Sequence, residues 1–415
     1  MRADSGGNLL TDACSPGSAI GTRTVVVQAS SRSWQGGADL CLNPVEGTPA
    51  VRVTVERFLA ADPSIRVVLA APATDRGGDF DDIFADLPVD RFEVVYAADA
   101  SPLERLLVAT CDMGPEDVFL RVDGLHFAVL VDRALEMLAE AAERGLDVLK
   151  FPDDYPVQLG ADVYRVGALR SLQGAALAPG FEVHPKYELF RNPDTFRCEW
   201  IEPPAVTEEE LRRARSSARE LYHVRAEATG AGIGAGDQLA FHYELAVDHL
   251  PRNGRVLDIA CGNGFGTRLL AERGFDVLGG DLDPGVIEMA ENGLGANSRA
   301  EYAVLDATAL DLEGERFDAV VTMETIEHVD ARSMLREAFR VLRPGGVLVL
   351  STPQNALGEV PINPEHLREY SLEEIEELVG EHFEVREVIG IKQGRIVLPG
   401  SPRGTNTVIV AVKPS

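Results

Sequence analysis

Short apolar runs alternate with helical segments twice along the chain, and this alternation constrains the fold more than any other feature. The runs are rich in Val, Leu and Ile, as in strands that are buried on both faces. A segment between them, Phe127–Arg144, places apolar residues at a helical period. Strands that alternate with helices predict a mostly parallel sheet covered on both faces, and therefore an α/β fold. The runs of the first half are Thr24–Gln28, Arg66–Ala71, Phe92–Tyr96, Val118–Val122 and Asp147–Phe151.

The second half of the chain repeats this order and predicts a second α/β domain. Asp283 followed by Pro284 indicates a helix start, with an acidic N-cap and proline at the first helical position. Two β-rich runs close the chain, Phe383–Ile391 and Thr407–Val412, and we expect them to pair antiparallel at a sheet edge. The candidate strands before them are Arg255–Ile259, Asp276–Gly280, Tyr302–Leu305, Phe317–Thr322 and Val347–Ser351.

A polar region separates the two halves. Its segment Thr207–Leu221 predicts a charged helix in which Thr207 and Glu210 have the spacing of a capping box, and Glu227–Asp237 is rich in Ala and Gly, as hinges are. A chain of 415 residues has room for two or three domains. We therefore predict a flexible tail over 1–23, a first domain over 24–204, a helical linker over 205–236 and a second domain over 237–415.

The charge balance excludes one class of partner. The chain has 39 Lys and Arg residues against 67 Asp and Glu residues, a formal net charge of −28, which repels phosphate backbones and anionic lipid. We therefore expect no nucleic-acid partner. The first residues lack the basic start and apolar run of a signal peptide, and no apolar run reaches the roughly 18 residues of a membrane helix. These features predict a cytoplasmic protein with no membrane insertion.

A glycine-rich loop joins the first strand of the second half to a helix predicted over Thr267–Arg273. The segment Val256–Gly266 reads VLDIACGNGFG, and its glycines allow close backbone approach to a ligand. Dinucleotide-binding folds use a similar turn, so the glycines alone are weak evidence. Three acids strengthen the signal because they end successive strands: Asp258 before the loop, Asp281 placed for ribose hydroxyls, and Asp306 placed for an adenine amino group.

With Ala303–Thr308, Phe317–Val329 and Val341–Pro353, this loop resembles the successive motifs of class I S-adenosylmethionine-dependent methyltransferases over roughly 237–415. The resemblance implies a Rossmann-like seven-stranded sheet and S-adenosylmethionine as cofactor. The alternative is that these are ordinary turn glycines with solvated acids. The residues that the resemblance assigns to the cofactor are Asp258, Gly262 and Gly264 around its methionine part, Asp281 at the ribose, Leu282 beside the adenine, Asp306 at the adenine edge, and Ala307 and Met323.

The segment Met323–His328 (METIEH) offers groups that could activate a hydroxyl acceptor. Methyl transfer from a sulfonium is an in-line displacement, and an alcohol must also lose its proton to a base or bind a metal that lowers its pKa. If a helix begins here, Glu324, Glu327 and His328 share one face. Together with the later His366, the set resembles the divalent-metal site of small-RNA 2′-O-methyltransferases and some quinone O-methyltransferases. That resemblance implies Mg²⁺ or Mn²⁺ held by Glu324, Glu327, His328 and His366.

Two other interpretations of this segment stay open. In one, His328, supported by Glu327, is the catalytic base or orienting group without a metal. In the other, Glu324 and Glu327 complement a helix N-terminus while His328 packs beneath the cofactor.

The first half resembles nucleotide-sugar cytidylyltransferases of the spore-coat polysaccharide type, which have a GT-A-like α/β fold. The first loop departs from that family because it keeps at best Arg32 as a cation for a triphosphate. Asp123 could bind Mg²⁺, although Asp123 and Asp162 are equally consistent with turn-stabilising acids. We therefore favour a degenerate domain that holds a nucleotide-linked sugar or serves dimerisation. The segments that carry the resemblance are Ala29–Arg32, Ala98–Arg105, Leu120–Asp123, Tyr155–Tyr164 and His184–Phe196.

The sequence thus predicts an S-adenosylmethionine-dependent O-methyltransferase of glycan or nucleotide-sugar biosynthesis, acting on a sugar hydroxyl. Its expected partners are a small-molecule or glycan acceptor and a second copy of the chain in a homodimer. One alternative is a bifunctional enzyme that makes a CMP-sugar and methylates it. The other is a non-catalytic scaffold that uses the cofactor site only for stability.

Overall fold

The structure is a computed structural model that describes residues 23–32, 39–99, 101–173, 185–207, 209–211, 214, 237–293, 299–357, 366–392, 396 and 398–415. The chain divides into two compact units, Met1–Ala226 and Glu227–Ser415. The predicted tail apart from Arg23, most of the predicted helical linker and the hinge before Asp237 lie outside the described residues. Within the described ranges, no helix is both long and apolar enough to cross a membrane.

The N-terminal unit is built on a seven-stranded mixed sheet in the order β5-β4-β1-β6-β8-β7-β9. Strands β5, β4, β1 and β6 pair in parallel, as the alternation of strands and helices predicts. Strand β8 runs antiparallel to both β6 and β7, and β7 pairs in parallel with β9. The strands are β1 Arg23–Gln28, β4 Ile65–Pro72, β5 Phe92–Ala97, β6 Val118–Asp123, β7 Val148–Lys150, β8 Asp162–Arg165 and β9 Cys198–Trp200, with a separate small hairpin of β2 Pro44–Val45 and β3 Thr48–Pro49.

Helices of the N-terminal unit lie between these strands along the chain. The helix predicted over Phe127–Arg144 begins later, at Val131, and its buried residues Ala134, Met137, Leu138 and Ala141 recur at the helical period. Its end at Gly145 has φ +64°, a left-handed C-terminal cap that favours glycine. The helices are α1 Ala50–Ala61, α2 Asp79–Ile83, α3 Pro102–Ala109, α4 Val131–Arg144, α5 Val166–Ser171 and α6 Pro185–Phe190, with 3-10 turns at Leu40–Leu42, Ala73–Asp75 and Val157–Leu159.

The C-terminal unit is built on a second seven-stranded sheet in the order β12-β11-β10-β13-β14-β16-β15. From β10 the chain adds β11 and β12 on one side, then returns to place β13 on the other side, so the strand order reverses between β10 and β13. Open α/β sheets bind ligands outside the carboxyl ends of the strands at such a point. The strands are β10 Arg255–Ile259, β11 Asp276–Asp281, β12 Ala300–Val304, β13 Phe317–Met323, β14 Leu342–Pro353, β15 Glu384–Ile391 and β16 Asn406–Val412.

Two apolar layers cover this sheet. One layer contains the buried residues Met334, Leu335 and Ala338 of the helix Ala331–Val341. The other contains Tyr243 and Leu270, which lie on the helices that precede and follow β10 in the chain. Burial on both faces explains why these strands are continuous apolar runs. The helices are α7 Asp237–His249, α8 Phe265–Glu272, α9 Pro284–Asn292, α10 Ala331–Val341 and α11 Leu372–Gly380, with a 3-10 turn at Ile326–His328.

Several local predictions are confirmed. Strands β15 and β16 pair antiparallel at the sheet edge. The Asp283 carboxylate accepts from the Gly285 amide at 2.7 Å and caps α9, with Pro284 at its first turn. The predicted capping box is present: the Thr207 amide donates to Glu210 at 2.8 Å and the Glu210 amide donates to the Thr207 hydroxyl at 3.3 Å. These features depend on neighbouring residues only, which is why the sequence predicts them.

Candidate functional site

The glycine loop lies at the carboxyl ends of the central strands. Three of its residues have left-handed backbone conformations: Ala260 at φ +56°, Gly262 at φ +53° and Gly264 at φ +75°. A Cβ built on Gly262 meets no atom of the described residues within 4 Å, so this position is open with respect to them. A Cβ on Gly264 would lie 2.4 Å from the Tyr302 hydroxyl, and one on Gly266 would lie 1.9 Å from the Tyr243 ring. Gly262 therefore leaves room for a ligand, whereas the other two glycines permit close packing.

The Gly266 contact predicts a loss of stability when a methyl group is added there. Gly266→Ala should lower the free energy of unfolding by about 1–3 kcal/mol, because the buried Tyr243 ring must move to make space. Urea unfolding measures the change. Gly380→Ala is the matched control, since a Cβ there meets no atom within 4 Å. Equal denaturation midpoints for the two variants would contradict the packing role of Gly266.

Asp258 is buried within β10, shortly before the glycine loop. Its side chain is 0% exposed, and its two oxygens accept hydrogen bonds from the Tyr243 hydroxyl at 3.0 Å and the Thr267 hydroxyl at 2.6 Å. Burial raises the pKa of this carboxyl to about 7. Asp258 thus joins β10 to α7 and to α8, the helix that follows the glycine loop.

Stability should depend on pH through Asp258. The pKa of Asp258 is about 7 in the folded state, whereas its ordinary value is 3.8. Between about pH 4 and pH 7 the folded state therefore keeps a proton on Asp258 that the unfolded state has released. The free energy of unfolding should therefore fall as pH rises from about 4 to about 7, by on the order of 4 kcal/mol at most. Asp258→Asn cannot titrate and should remove this component. Urea unfolding of both forms without cofactor across that range tests it; identical pH slopes would refute it.

Asp281 ties the loop to the next helix. Its Oδ2 accepts from the Gly262 amide at 3.0 Å and its Oδ1 accepts from the Asp283 amide at 3.1 Å. A carboxylate has about four acceptor sites, so two amide bonds leave capacity for hydroxyl groups of a ligand. Leu282, the next residue, is 67% exposed, so its side chain is accessible to a ligand.

The remaining predicted cofactor residues lie on neighbouring strands. Asp306 is exposed just after β12, where its carboxylate accepts from the hydroxyl and the amide of Thr308, which lower its pKa. Ala307 is half-buried against the core, and Met323 is almost fully buried at the end of β13. Asp306 is therefore accessible to a ligand, whereas Met323 mainly packs within the unit.

The acidic segment after β13 does not form the helix that the spacing suggested. Glu324 has φ +52°, and its amide donates to the Ser351 carbonyl at 3.0 Å, after which Ile326–His328 forms only a 3-10 turn. The prediction that Glu324, Glu327 and His328 share one face of an α-helix is therefore wrong. The left-handed turn at Glu324 prevents helical continuation from the strand.

Three of the four predicted metal ligands nevertheless converge. Glu327, His328 and His366 each offer a ligand atom, and these atoms lie within 4.8 Å of one another. The two imidazole rings are 4.7 Å apart between centroids and nearly perpendicular, at 86°. Glu327 is 1% exposed; its Oε2 accepts from Thr352 at 2.9 Å, and its Oε1 has no hydrogen-bond partner among the described residues. We call these three residues the histidine–glutamate cluster.

Glu324 lies outside the histidine–glutamate cluster. Its Oε1 accepts from the Ser351 hydroxyl at 2.7 Å and its Oε2 from the Asn406 amide group at 2.7 Å. Desolvation raises the pKa of Glu324, and desolvation together with repulsion from Glu324 raises the pKa of Glu327. The structure therefore separates Glu324, held by neutral donors, from Glu327, which retains an unsatisfied buried oxygen.

The donor set of the cluster fits a divalent cation. One carboxylate oxygen and two imidazoles suit Mn²⁺ and related transition metals better than Mg²⁺, which prefers oxygen ligands. A cation would also satisfy the buried Glu327 Oε1, whose lack of a partner is costly.

Sequence reasoning missed three buried residues near this site. Glu369 and Asn355 are 1% and 0% exposed, and the Glu369 carboxylate pairs with His366 at 2.7 Å. His242 of α7 lies 3.1 Å from the Ser351 hydroxyl, and burial lowers its pKa to about 4. The three come from separate segments, so no spacing in the sequence relates them. Only the His366-x-x-Glu369 interval offered a signal, and only if the chain turns there.

The C-terminal unit is similar to known methyltransferases. Residues 257–350 match the family described as "Methyltransferase domain". The "Probable S-adenosylmethionine-dependent methyltransferase" of Mycolicibacterium smegmatis is 35% identical over 150 residues, 34% of this chain and 55% of that protein. The ubiquinone biosynthesis O-methyltransferase of Azorhizobium caulinodans is 40% identical over 100 residues, 24% of this chain and 40% of that protein.

A solved S-adenosylmethionine-dependent methyltransferase of Methanosarcina mazei is 24% identical, with a TM-score of 0.35; the alignment covers 41% of this chain and 97% of that one. The chain spans about half the length, or less, of the curated relatives described above. The sequence matches place a class I S-adenosylmethionine-dependent methyltransferase domain in the C-terminal unit.

Proposed function

We propose that this protein transfers a methyl group from S-adenosylmethionine to a hydroxyl oxygen. The observation that carries the proposal is the hydrogen bond between Asp281 and the amide of Gly262, at an open position on the carboxyl edge of the sheet. Oxygen as the acceptor atom is supported by the names of relatives, which are O-methyltransferases, and by the histidine–glutamate cluster at the end of the neighbouring strand.

The cofactor would lie across the glycine loop. Gly262 would admit its methionine part, Asp281 would accept from ribose hydroxyls, and Leu282 would cover the adenine. Asp306 would accept from the adenine amino group. Asp258 and Gly264 would act indirectly, since the first is buried within β10 and the second packs on Tyr302. Fixed placement of the sulfonium matters because an in-line displacement depends on alignment.

Acceptor activation would fall to the histidine–glutamate cluster. We propose that Glu327, His328 and His366 hold Mn²⁺ or Mg²⁺, which when bound would lower the pKa of the acceptor hydroxyl. Glu324 would instead fix the end of β13 through Ser351 and Asn406. The alternative keeps His328, whose imidazole is exposed, as the general base without a metal.

A sugar hydroxyl of a glycan or nucleotide-linked sugar is the acceptor that we propose, on the basis of the N-terminal unit. Its strand order and single reversed strand, β8, are consistent with the GT-A-like fold that the sequence suggests. Asp123 ends β6 opposite Gln28 of β1, where the strand order reverses, and its side chain is 38% exposed. A ligand site at this edge follows the general rule for open α/β sheets.

Ion pairs in the N-terminal unit argue against nucleotidyl transfer. Three cations outside the first loop already pair with carboxylates: Arg121 with Asp123 at 2.6 Å, Lys150 with Asp153 at 2.7 Å, and Lys186 with Asp162 at 2.5 Å. A triphosphate needs cations that are not already neutralised. We therefore favour a unit that holds a nucleotide-linked sugar. Release of pyrophosphate from CTP and a sugar would support the bifunctional alternative instead.

Radiolabelled methyl transfer tests the proposed function. The full chain is incubated with labelled S-adenosylmethionine and a fractionated extract of nucleotide sugars and surface glycans. We expect label in a carbohydrate fraction, in an alkali-stable ether linkage. Cofactor binding without transfer to any fraction would support the scaffold alternative and contradict the enzyme.

We also propose a cytoplasmic protein that forms a homodimer and takes a small-molecule or glycan acceptor. The net charge of −28 supports the exclusion of nucleic acid. Light scattering of the purified chain would measure its mass against the 44.8 kDa of one copy.

A further inference from the structure

We propose that Glu369 is a positioning residue that orients His366 toward Glu327 and His328. The inference rests on the proposed metal-assisted function and goes beyond the ligand set itself. Glu369 is 1% exposed, and its Oε1 lies 2.7 Å from Nδ1 of His366. A carboxylate in this position holds the imidazole plane in one orientation.

The hydrogen bond also determines the tautomer of His366. When Glu369 is ionised and the imidazole is neutral, the carboxylate only accepts, so Nδ1 of His366 carries the hydrogen and Nε2 retains its lone pair. Metal-binding histidines commonly donate their second ring N–H to a carboxylate in this way, which orients the ring and raises its basicity. In this tautomer Nε2 is the nitrogen of His366 that would bind a cation.

Asn355 in turn fixes Glu369. Asn355 is 0% exposed; its Nδ2 donates to Glu369 Oε2 at 2.8 Å, while its Oδ1 accepts from the Leu357 amide at 3.0 Å. The backbone N–H of Asn355 donates to the backbone carbonyl of Tyr370 at 2.9 Å. The carboxylate that holds His366 is thus anchored by the loop that follows β14.

A second connection ties this segment to the cluster. The amides of Leu367 and Arg368 donate to the carbonyl of Glu327 at 2.8 and 3.3 Å. His366 and Glu327 are therefore held in register by the backbone, while Glu369 controls the rotation of the His366 ring. Because the backbone bonds do not involve the Glu369 side chain, its substitution should alter ring orientation without separating the segments.

Substitution of Glu369 should weaken cation binding selectively. Glu369→Gln removes the negative charge at nearly constant size, and we expect the Kd for Mn²⁺ to rise about 10- to 100-fold. The affinity for S-adenosylmethionine should stay unchanged, because Asp281 and the glycine loop lie on other strands. Glu369→Asp keeps the charge and should restore part of the loss.

The test is a titration of the full chain with Mn²⁺, in which electron paramagnetic resonance measures the free ion. Glu373→Gln is the matched control, an exposed acid that pairs with Arg403 at 3.0 Å. Cofactor affinity and circular dichroism verify that each variant folds. If Glu369→Gln does not fold, the Kd of Glu369→Asp for Mn²⁺ is compared with that of the original chain instead.

Two results would overturn the inference and are distinguishable. If the unmodified chain binds no Mn²⁺, the proposed metal centre fails and the role of Glu369 fails with it. If the unmodified chain binds Mn²⁺ and Glu369→Gln binds it equally well, the metal centre stands and only the positioning role is wrong.

Discussion

Asp281→Ala should reduce the affinity for S-adenosylmethionine by roughly 100-fold or more. The carboxylate would lose its hydrogen bonds to the ribose hydroxyls, and bonds to a charged acceptor contribute about 1.5–3 kcal/mol each. The substitution also removes the bonds at 3.0 and 3.1 Å that Asp281 accepts from the amides of Gly262 and Asp283. The glycine loop would then lose its fixed position at the sheet edge. Isothermal titration calorimetry with S-adenosylmethionine measures the effect.

Asp276→Ala provides the matched control on the same strand. Asp276 begins β11, whereas Asp281 ends it, and its exposed carboxylate pairs with Arg299 at 3.2 Å. The amino end of the strand lies at the opposite edge of the sheet from the glycine loop, and exposed ion pairs contribute little to stability. The affinity of Asp276→Ala for S-adenosylmethionine should therefore stay within about twofold of the original. Unchanged affinity in Asp281→Ala would remove the ribose role and with it the main support for the cofactor site.

His366→Ala should lower the rate of methyl transfer by roughly 100-fold or more, while cofactor binding is retained. The substitution removes one of the three groups whose ligand atoms lie within 4.8 Å, and leaves Asp281 and the glycine loop intact. Prolonged chelation should have a similar effect, which added Mn²⁺ reverses in the original chain. Single-turnover measurement at saturating cofactor separates the loss in rate from any loss in binding.

The competing interpretations predict different outcomes for the same enzyme. A general base without metal predicts full activity after chelation and a large loss in His328→Ala. A purely structural cluster predicts that neither chelation nor His328→Ala changes the rate of transfer by more than a few-fold. The control substitution is His249→Ala, an imidazole at the end of α7 that lies 3.9 Å from Glu387 and outside the cluster.

The glycine loop and the acid that ends the next strand could be predicted from the sequence because the pattern that places them is local. A buried strand, a glycine turn and a helix occur within Val256–Arg273, and an acid at the end of the next strand must reach the same edge in a parallel sheet. The structure adds to this prediction the burial of Asp258 and the packing of Gly264 and Gly266 against two tyrosines. Neither follows from spacing, because both depend on side chains from other elements.

The grouping of the acidic segment with His366 was predicted only in part. Glu327 and His328 lie close to His366, but the left-handed turn at Glu324 replaces the expected helix, and that carboxylate contacts Ser351 and Asn406 instead. In the N-terminal unit, the ion pair of Lys186 with Asp162 joins α6 to β8, which the first-loop pattern could not reveal. Conformation at one residue and pairing between distant segments are both products of packing.

The sequence by itself thus determined the two α/β units, the glycine loop and the acids at the strand ends, because strand, turn and cap chemistry depends on neighbouring residues. Only the tertiary structure decided which buried groups meet. It separated Glu324 from the cluster, brought His366 to Glu327, and placed Glu369 behind His366. The reason is physical: burial of a carboxylate favours conformations in which another polar group meets it, and several of these groups come from segments far apart in the chain, as Thr352 does for Glu327 and Asn406 for Glu324.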